Sequence, residues 1–188
     1  MSPWGLKSRS SDKTGRFQVN HPEHTSIEVA DLVAMDKFDK EKAEDAFQQF
    51  LMEMDDRIEG LQQEAEGYQL NLDKSDSSLD TLEKFILKVL NSKSNPDVKS
   101  LAVTCGRYLG EVMAQNHQGR WFLPLDDPKN INFNQPVIIG HGASKTEFAP
   151  MSVCRAFILK KTPGLINKAY VSQLSPRKLD LSKLIEPE

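Results

Sequence analysis

The residues of this chain with chemistry to offer fall into four groups. His21 and His24 flank Pro22 and Glu23, and a three-residue separation ligates a metal ion when both imidazoles lie on one helical face. Pro22 interrupts such a face, so the pair reads as part of a solvated segment, and neither a metal nor another cofactor is expected. Cys105 could be a nucleophile with His117 or His141 as its base, since a thiolate forms at neutral pH only beside a base or in a positive field. Its surroundings are apolar, however, and His117 lies twelve residues further on, about 18 Å along a continuous helix. A packing thiol is therefore expected, and no catalytic residue is assigned. Gly140-His141-Gly142-Ala143-Ser144-Lys145 supplies glycines, a hydroxyl and a cation but lacks the spacing whose backbone amides cradle phosphate, so it reads as a turn.

The fourth group is acidic. Asp55, Asp56, Glu59, Glu64 and Glu66 belong to a stretch, residues 36–67, that carries 11 acidic residues against 4 basic ones. Such a face is either ordinary solvated helix or an electrostatic docking surface for a basic partner, which Asp126, Asp127 and Asn130 could extend. Residues 145–188 are basic by contrast, with 8 cations and 4 carboxylates. The overall net charge of −3 argues against a nucleic-acid binder, which needs a basic field to displace phosphate counterions. No apolar run approaches the ~20 residues of a membrane span, and the N-terminus lacks a signal-peptide core, so a cytoplasmic protein without membrane contact is expected. Cys105 and Cys154 form no Cys-x-x-Cys pair and read as buried free thiols.

The elements that must position these groups follow from the apolar spacing. Residues 1–25 are polar and read as a flexible N-terminal arm, 26–175 as a single α+β domain, and 176–188 as a tail. Ile27 to Met35 has a weak helical face. Ala43, Phe47, Phe50, Leu51, Met54, Ile58, Leu61, Ala65 and Tyr68 recur at spacings of three and four and predict one long helix over 40–68. A second helix is expected over 78–91, capped by the Ser78 hydroxyl, and a third over 97–118, ending on a left-handed Gly119. From Arg120 the pattern changes to two short β runs, 120–125 and 136–140, read as an antiparallel pair. Pro150 then suits the first turn of a helix, and another short helix is expected over 165–174.

The segment Leu101 to Trp121 contains Gly106-Arg-Tyr108-Leu109-Gly110-Glu111-Val112 followed by Gly119-Arg-Trp121. It resembles a motif of small bacterial domains in which a Gly-x-Tyr-Leu-Gly-Glu-Val helix leads through Gly-x-Trp into a β-hairpin. Pro136, Val137, Phe148 and Pro150 continue the match. The resemblance implies an adaptor or immunity-type protein of a bacterial toxin system, with no catalytic residue to carry over. The residues also make sense on their own. Gly106 and Gly110 lie four apart on one helical face and leave a groove for the Trp121 strand, with Glu111 beside it. The expected function is a non-catalytic binding protein that neutralises a cognate toxin with a basic surface, through Asp55, Asp56, Glu59, Asp126, Asp127 and Asn130. The alternatives are an adaptor or chaperone for a secreted effector, or an enzyme whose pocket converges on Glu111, His117 and His141.

Overall fold

The computed structural model describes residues 38–142 and 146–174, so the N-terminal arm, the helix expected over Ile27 to Met35, His21, His24 and the C-terminal tail lie outside the described residues. From Asp39 onward the described residues belong to one compact unit. Its elements are α1 (Lys40–Met52), α2 (Met54–Gly67), α3 (Ser78–Ser92), α4 (Val98–Asn116), β1 (Arg120–Phe122), β2 (Val137–Ile139), α5 (Pro150–Lys160) and α6 (Leu165–Leu174). The architecture is α+β, a helical front half followed by a small antiparallel sheet and two further helices.

The long helix expected over 40–68 is two helices, divided at Glu53, whose backbone sits at φ −82° and ψ 0°. The cause is a side chain from far along the chain: Arg107 Nη1 donates to the carbonyl of Phe50 at 2.7 Å, an oxygen that an unbroken helix offers to Met54. A side chain inserted at a ladder carbonyl kinks a helix. The two halves also differ in burial. α2 seats Met54, Ile58, Leu61 and Ala65 in the core, whereas α1 buries Ala43 alone.

α4 occupies the centre. Its side chains from Cys105 to Gly110 are all buried, the pattern of a helix surrounded by protein rather than lying on a surface. Asp97 caps it by accepting from the backbone of Lys99 and Ser100 at 3.1 and 3.0 Å. The apolar stripe of α3 (Leu79, Leu82, Phe85, Ile86, Val89) joins Cys105, Tyr108, Leu109, Val112 and Met113 of α4 and Cys154, Phe157 and Ile158 of α5 in one core. Burial of each large apolar side chain stabilises by roughly 1.5–3 kcal/mol.

Two helix ends differ from expectation. Ser78 does not cap α3: it is the first helical residue, and its hydroxyl bonds the Ser75 carbonyl and the Tyr108 hydroxyl. After α4 it is Gln118, at φ 56°, that takes the left-handed conformation, not Gly119. Gly119 is required for space instead, since a Cβ there would lie 2.5 Å from Ile138 Cγ2. The strands are shorter than their apolar runs, and pair antiparallel with Trp121 opposite Ile138. Ile138 also bridges Phe148 through reciprocal backbone bonds of 2.8 and 2.9 Å, which brings the chain back to start α5 with Pro150 in its first turn.

Candidate functional site

The acidic residues singled out from sequence do not form one surface. Asp55, Asp56 and Glu59 lie exposed on α2, on the side away from Ile58 and Leu61, and Glu59 borders a polar hollow of about 320 Å³ that Gln62, Gln63, Glu66 and Asn71 also line. Asp126 is beside the start of α1 instead, 3.5 Å from Lys40 Nζ. Lys40 opens α1 and Asp55 lies in the first turn of α2, fifteen positions on and across the break at Glu53. Asp127 spends a carboxylate oxygen on the backbone of Lys129 at 2.9 Å. Asn130 faces inward and donates to both oxygens of Glu147 at 3.0 and 3.2 Å, alongside Asn132 at 2.9 Å. Asn130 thus shapes its loop, which holds Ile131 out at 93% exposure.

The motif residues do converge, apart from one. A Cβ on Gly106 would lie 2.7 Å from the Cα of Met151, and one on Gly110 would overlap the Trp121 ring. Trp121 therefore lies across the Gly110 gap, and its indole N–H donates to Glu111 Oε1 at 2.7 Å. The ring edge also meets Phe50, centroids 5.1 Å apart, while the Arg107 guanidinium stacks 4.1 Å over the other ring of that pair, Phe50. Tyr108 looks the other way. Its hydroxyl accepts from the Lys74 backbone at 2.8 Å and bonds Ser78 at 2.6 Å, tying α4 to the turn before α3.

The nucleophile and base considered for Cys105 are not assembled. Cys105 is a fully buried free thiol, and burial, with Cys154 and Glu64 adding to it, pushes it well above the usual thiol range. His117 pairs instead with Asp76, Nε2 to Oδ2 at 3.0 Å. Asp76 also accepts from Asn116 at 2.8 Å and from the Tyr170 hydroxyl at 2.7 Å. Burial works against its ionisation, but the hydrogen bonds from Tyr170, Asn116 and His117 outweigh it and hold the carboxyl below its ordinary range. Tyr170 is pushed far above the usual phenol range by burial and by Asp76. The arrangement binds the turn before α3, the end of α4 and the middle of α6 into one polar joint. His141 lies buried against Phe148, ring centroids 6.1 Å apart, with neither ring nitrogen hydrogen-bonded among the described residues. Gly140, at φ 78°, makes the expected turn after β2, and residues 143–145 lie outside the described residues. Among the described residues no group of three or more His, Cys, Asp or Glu side chains is placed to hold a metal ion, and no helix is long and apolar enough to cross a membrane.

Sequence reasoning missed Arg107, Asp76, Glu83 and Glu147. Arg107 had a readable signal, being the one charged residue between Lys99 and Glu111, inside the stretch where the helix is buried all round. The other three are carboxylates whose partners are distant in sequence, which leaves no local mark. No family model, curated protein or solved structure matches the chain.

Proposed function

We propose that the chain is a binding protein that performs no chemistry itself and neutralises a protein toxin by docking on it. The observation carrying this reading is the division of labour among its polar side chains. Those with chemical potential are spent on the fold: Asp76, His117 and Tyr170 on one joint, Glu111 on Trp121, and Glu83 on the start of α6. The outer carboxylates are less committed, with Asp55 and Asp56 complementing the dipole of α2 from its first turn and no more. Asp55 and Asp56 have no cation within ion-pairing distance among the described residues, and Glu59 accepts only from its neighbour Gln63. Exposed like charges on one helix repel each other unless a partner of opposite sign meets them, and they raise the encounter rate with such a partner.

The test is co-production with the protein encoded by the adjacent gene, measuring growth rescue and the rate of complex formation against ionic strength. Rescue together with a 1:1 complex supports neutralisation. Complex formation without rescue assigns the chain to the loading of an effector instead, and rescue that needs only catalytic amounts of the chain overturns the non-catalytic reading. Replacing Asp55, Asp56 and Glu59 by lysine is expected to slow association about tenfold or more at low salt, converging with wild type at high salt, because steering by exposed charges is screened beyond about 10 Å at 0.1 M.

A further inference from the structure

α1 is an incompletely used helix. Its apolar stripe faces the chain, yet Ala43 is its one buried residue. Phe47 stacks on Phe50 at 6.2 Å and is otherwise half open. Between this helix and the strand that carries Trp121 lies an open groove of about 570 Å³, with Phe47, Phe122, Leu123 and Leu125 on its floor and Glu44, Asp45 and Asp126 on its rim. What sets this groove apart is four half-open apolar side chains gathered beside exposed carboxylates.

The rim identifies the occupant. Lys40 Nζ is 3.5 Å from Asp126 and 3.9 Å from Glu44, so the chain itself already seats one cation between two of the rim carboxylates. Asp45 has no cation within ion-pairing distance among the described residues. A second copy of this chain is a poor match, since it would bring the acidic stretch of residues 36–67 against itself.

We infer that the groove between α1 and β1 receives an amphipathic, basic helical segment of a partner protein. Its apolar stripe packs on Phe47, Phe122 and Leu125, and a flanking lysine or arginine meets Asp45, beside the Glu44 and Asp126 carboxylates that share Lys40. Recognition of this kind reads apolar anchors one helical turn apart for affinity and the charged border for orientation. The inference rests on the reading of the chain as a docking protein and assigns the partner's chemistry to a place distinct from the outer face of α2.

The experiment titrates the full chain, by calorimetry, with two synthetic helical peptides. One carries leucine and lysine at helical spacing, and the other has serine in place of every leucine and the same charge. The Leu–Lys peptide is expected to bind at least about tenfold more tightly than the Ser–Lys peptide, and to lose about tenfold with Leu125→Gln and, at low salt, with Asp45→Lys. An unchanged thermal midpoint shows that each variant is folded. Equal binding of the two peptides overturns the inference, because charge alone then suffices. Loss of Leu–Lys binding on replacing Asp55, Asp56 and Glu59, with Leu125→Gln inert, also overturns it and moves the contact to α2. A dimer of the chain alone that Leu125→Gln dissolves assigns the groove to a second copy and overturns it too. Failure to neutralise a toxin defeats the functional reading without changing any of these peptide results.

Discussion

Arg107 reaches from the middle of the central helix to the carbonyl of Phe50, 57 positions earlier in sequence, at 2.7 Å. The same guanidinium stacks on the Phe50 ring and lies 3.7 Å from Glu53. One buried side chain therefore holds the joint between α1 and α2 and, through Phe50, the aromatic contact with Trp121. Arg107→Met keeps the stem's bulk but removes the stacking cation and the donor on the part-buried Phe50 carbonyl, which Met54 or solvent can then meet. It should destabilise by about 1–3 kcal/mol, from a lost charged hydrogen bond plus a cation–π contact. Arg107→Lys should recover less than half of this, since a point charge cannot bond the carbonyl and cover the ring in one geometry. Chemical denaturation of the three proteins decides it, and a midpoint for Arg107→Met equal to wild type would remove the latch.

Much of the framework was legible because its causes are local. The α3 stripe and Pro150 at the start of α5 each act within a few residues. The Gly106 and Gly110 spacing announced a close approach and the Trp121 strand that makes it at Gly110, although not that Met151 would face Gly106. The division at Glu53 was not legible, because the α1 and α2 residues keep an unbroken helical period and the agent that interrupts them lies in α4. Asn130 was misjudged for a related reason: a polar loop reads as exposed until Glu147 is brought beneath it.

The glycines give a controlled comparison within one protein. Gly106→Ala would set its Cβ 2.7 Å from the backbone of Met151, where a flexible side chain cannot simply step aside. A cost of about 1–3 kcal/mol from forced separation of α4 and α5 should exceed the ~1 kcal/mol that alanine gains over glycine in a helix interior. Gly60, within α2, has nothing within 4 Å of such a Cβ, so Gly60→Ala should stabilise by up to about 1 kcal/mol. Opposite signs in paired melts are the expected result, and equal stabilisation of both would refute the close-packing account.

His141 makes stability depend on pH. Burial pushes its imidazole below the usual histidine range, with His117 adding to the push and the nearby Gln173 side chain opposing it. The surrounding titratable groups are His117 at the end of α4, its partner Asp76, and Tyr170 on α6. A base with a depressed folded pKa contributes stability that is complete above its unfolded value, about 6.5, and is lost as pH falls through the folded value. Stability should therefore begin to decline as pH falls below about 6.5. His141→Leu should flatten that window, and any change at pH 7 would measure what the ring's weak contacts with the Gln173 side chain and the Ile138 backbone contribute. An acid limb as steep in the variant as in wild type would acquit His141.

Glu83 is a buried carboxylate that never meets a cation among the described residues. Its two oxygens accept from the backbone of Gly164 and of Ile166, each at 2.7 Å, so a side chain from α3 caps the amides that α6 leaves free at its N-terminus. The position also sets a negative charge at the positive end of the helix dipole. Glu83→Gln fills the same volume but turns an amide donor toward one of two backbone donors, and should cost about 2 kcal/mol overall. The loss should be concentrated where the cap acts. Hydrogen exchange at Gly164 and Ile166 is expected to accelerate well beyond that of the α4 amides, because freeing its first turn lets α6 open without unfolding the centre. The same acceleration at both sites would mean that Glu83 supports the whole core rather than the docking of one helix, and unchanged exchange at Gly164 and Ile166 would show that the cap carries no energy.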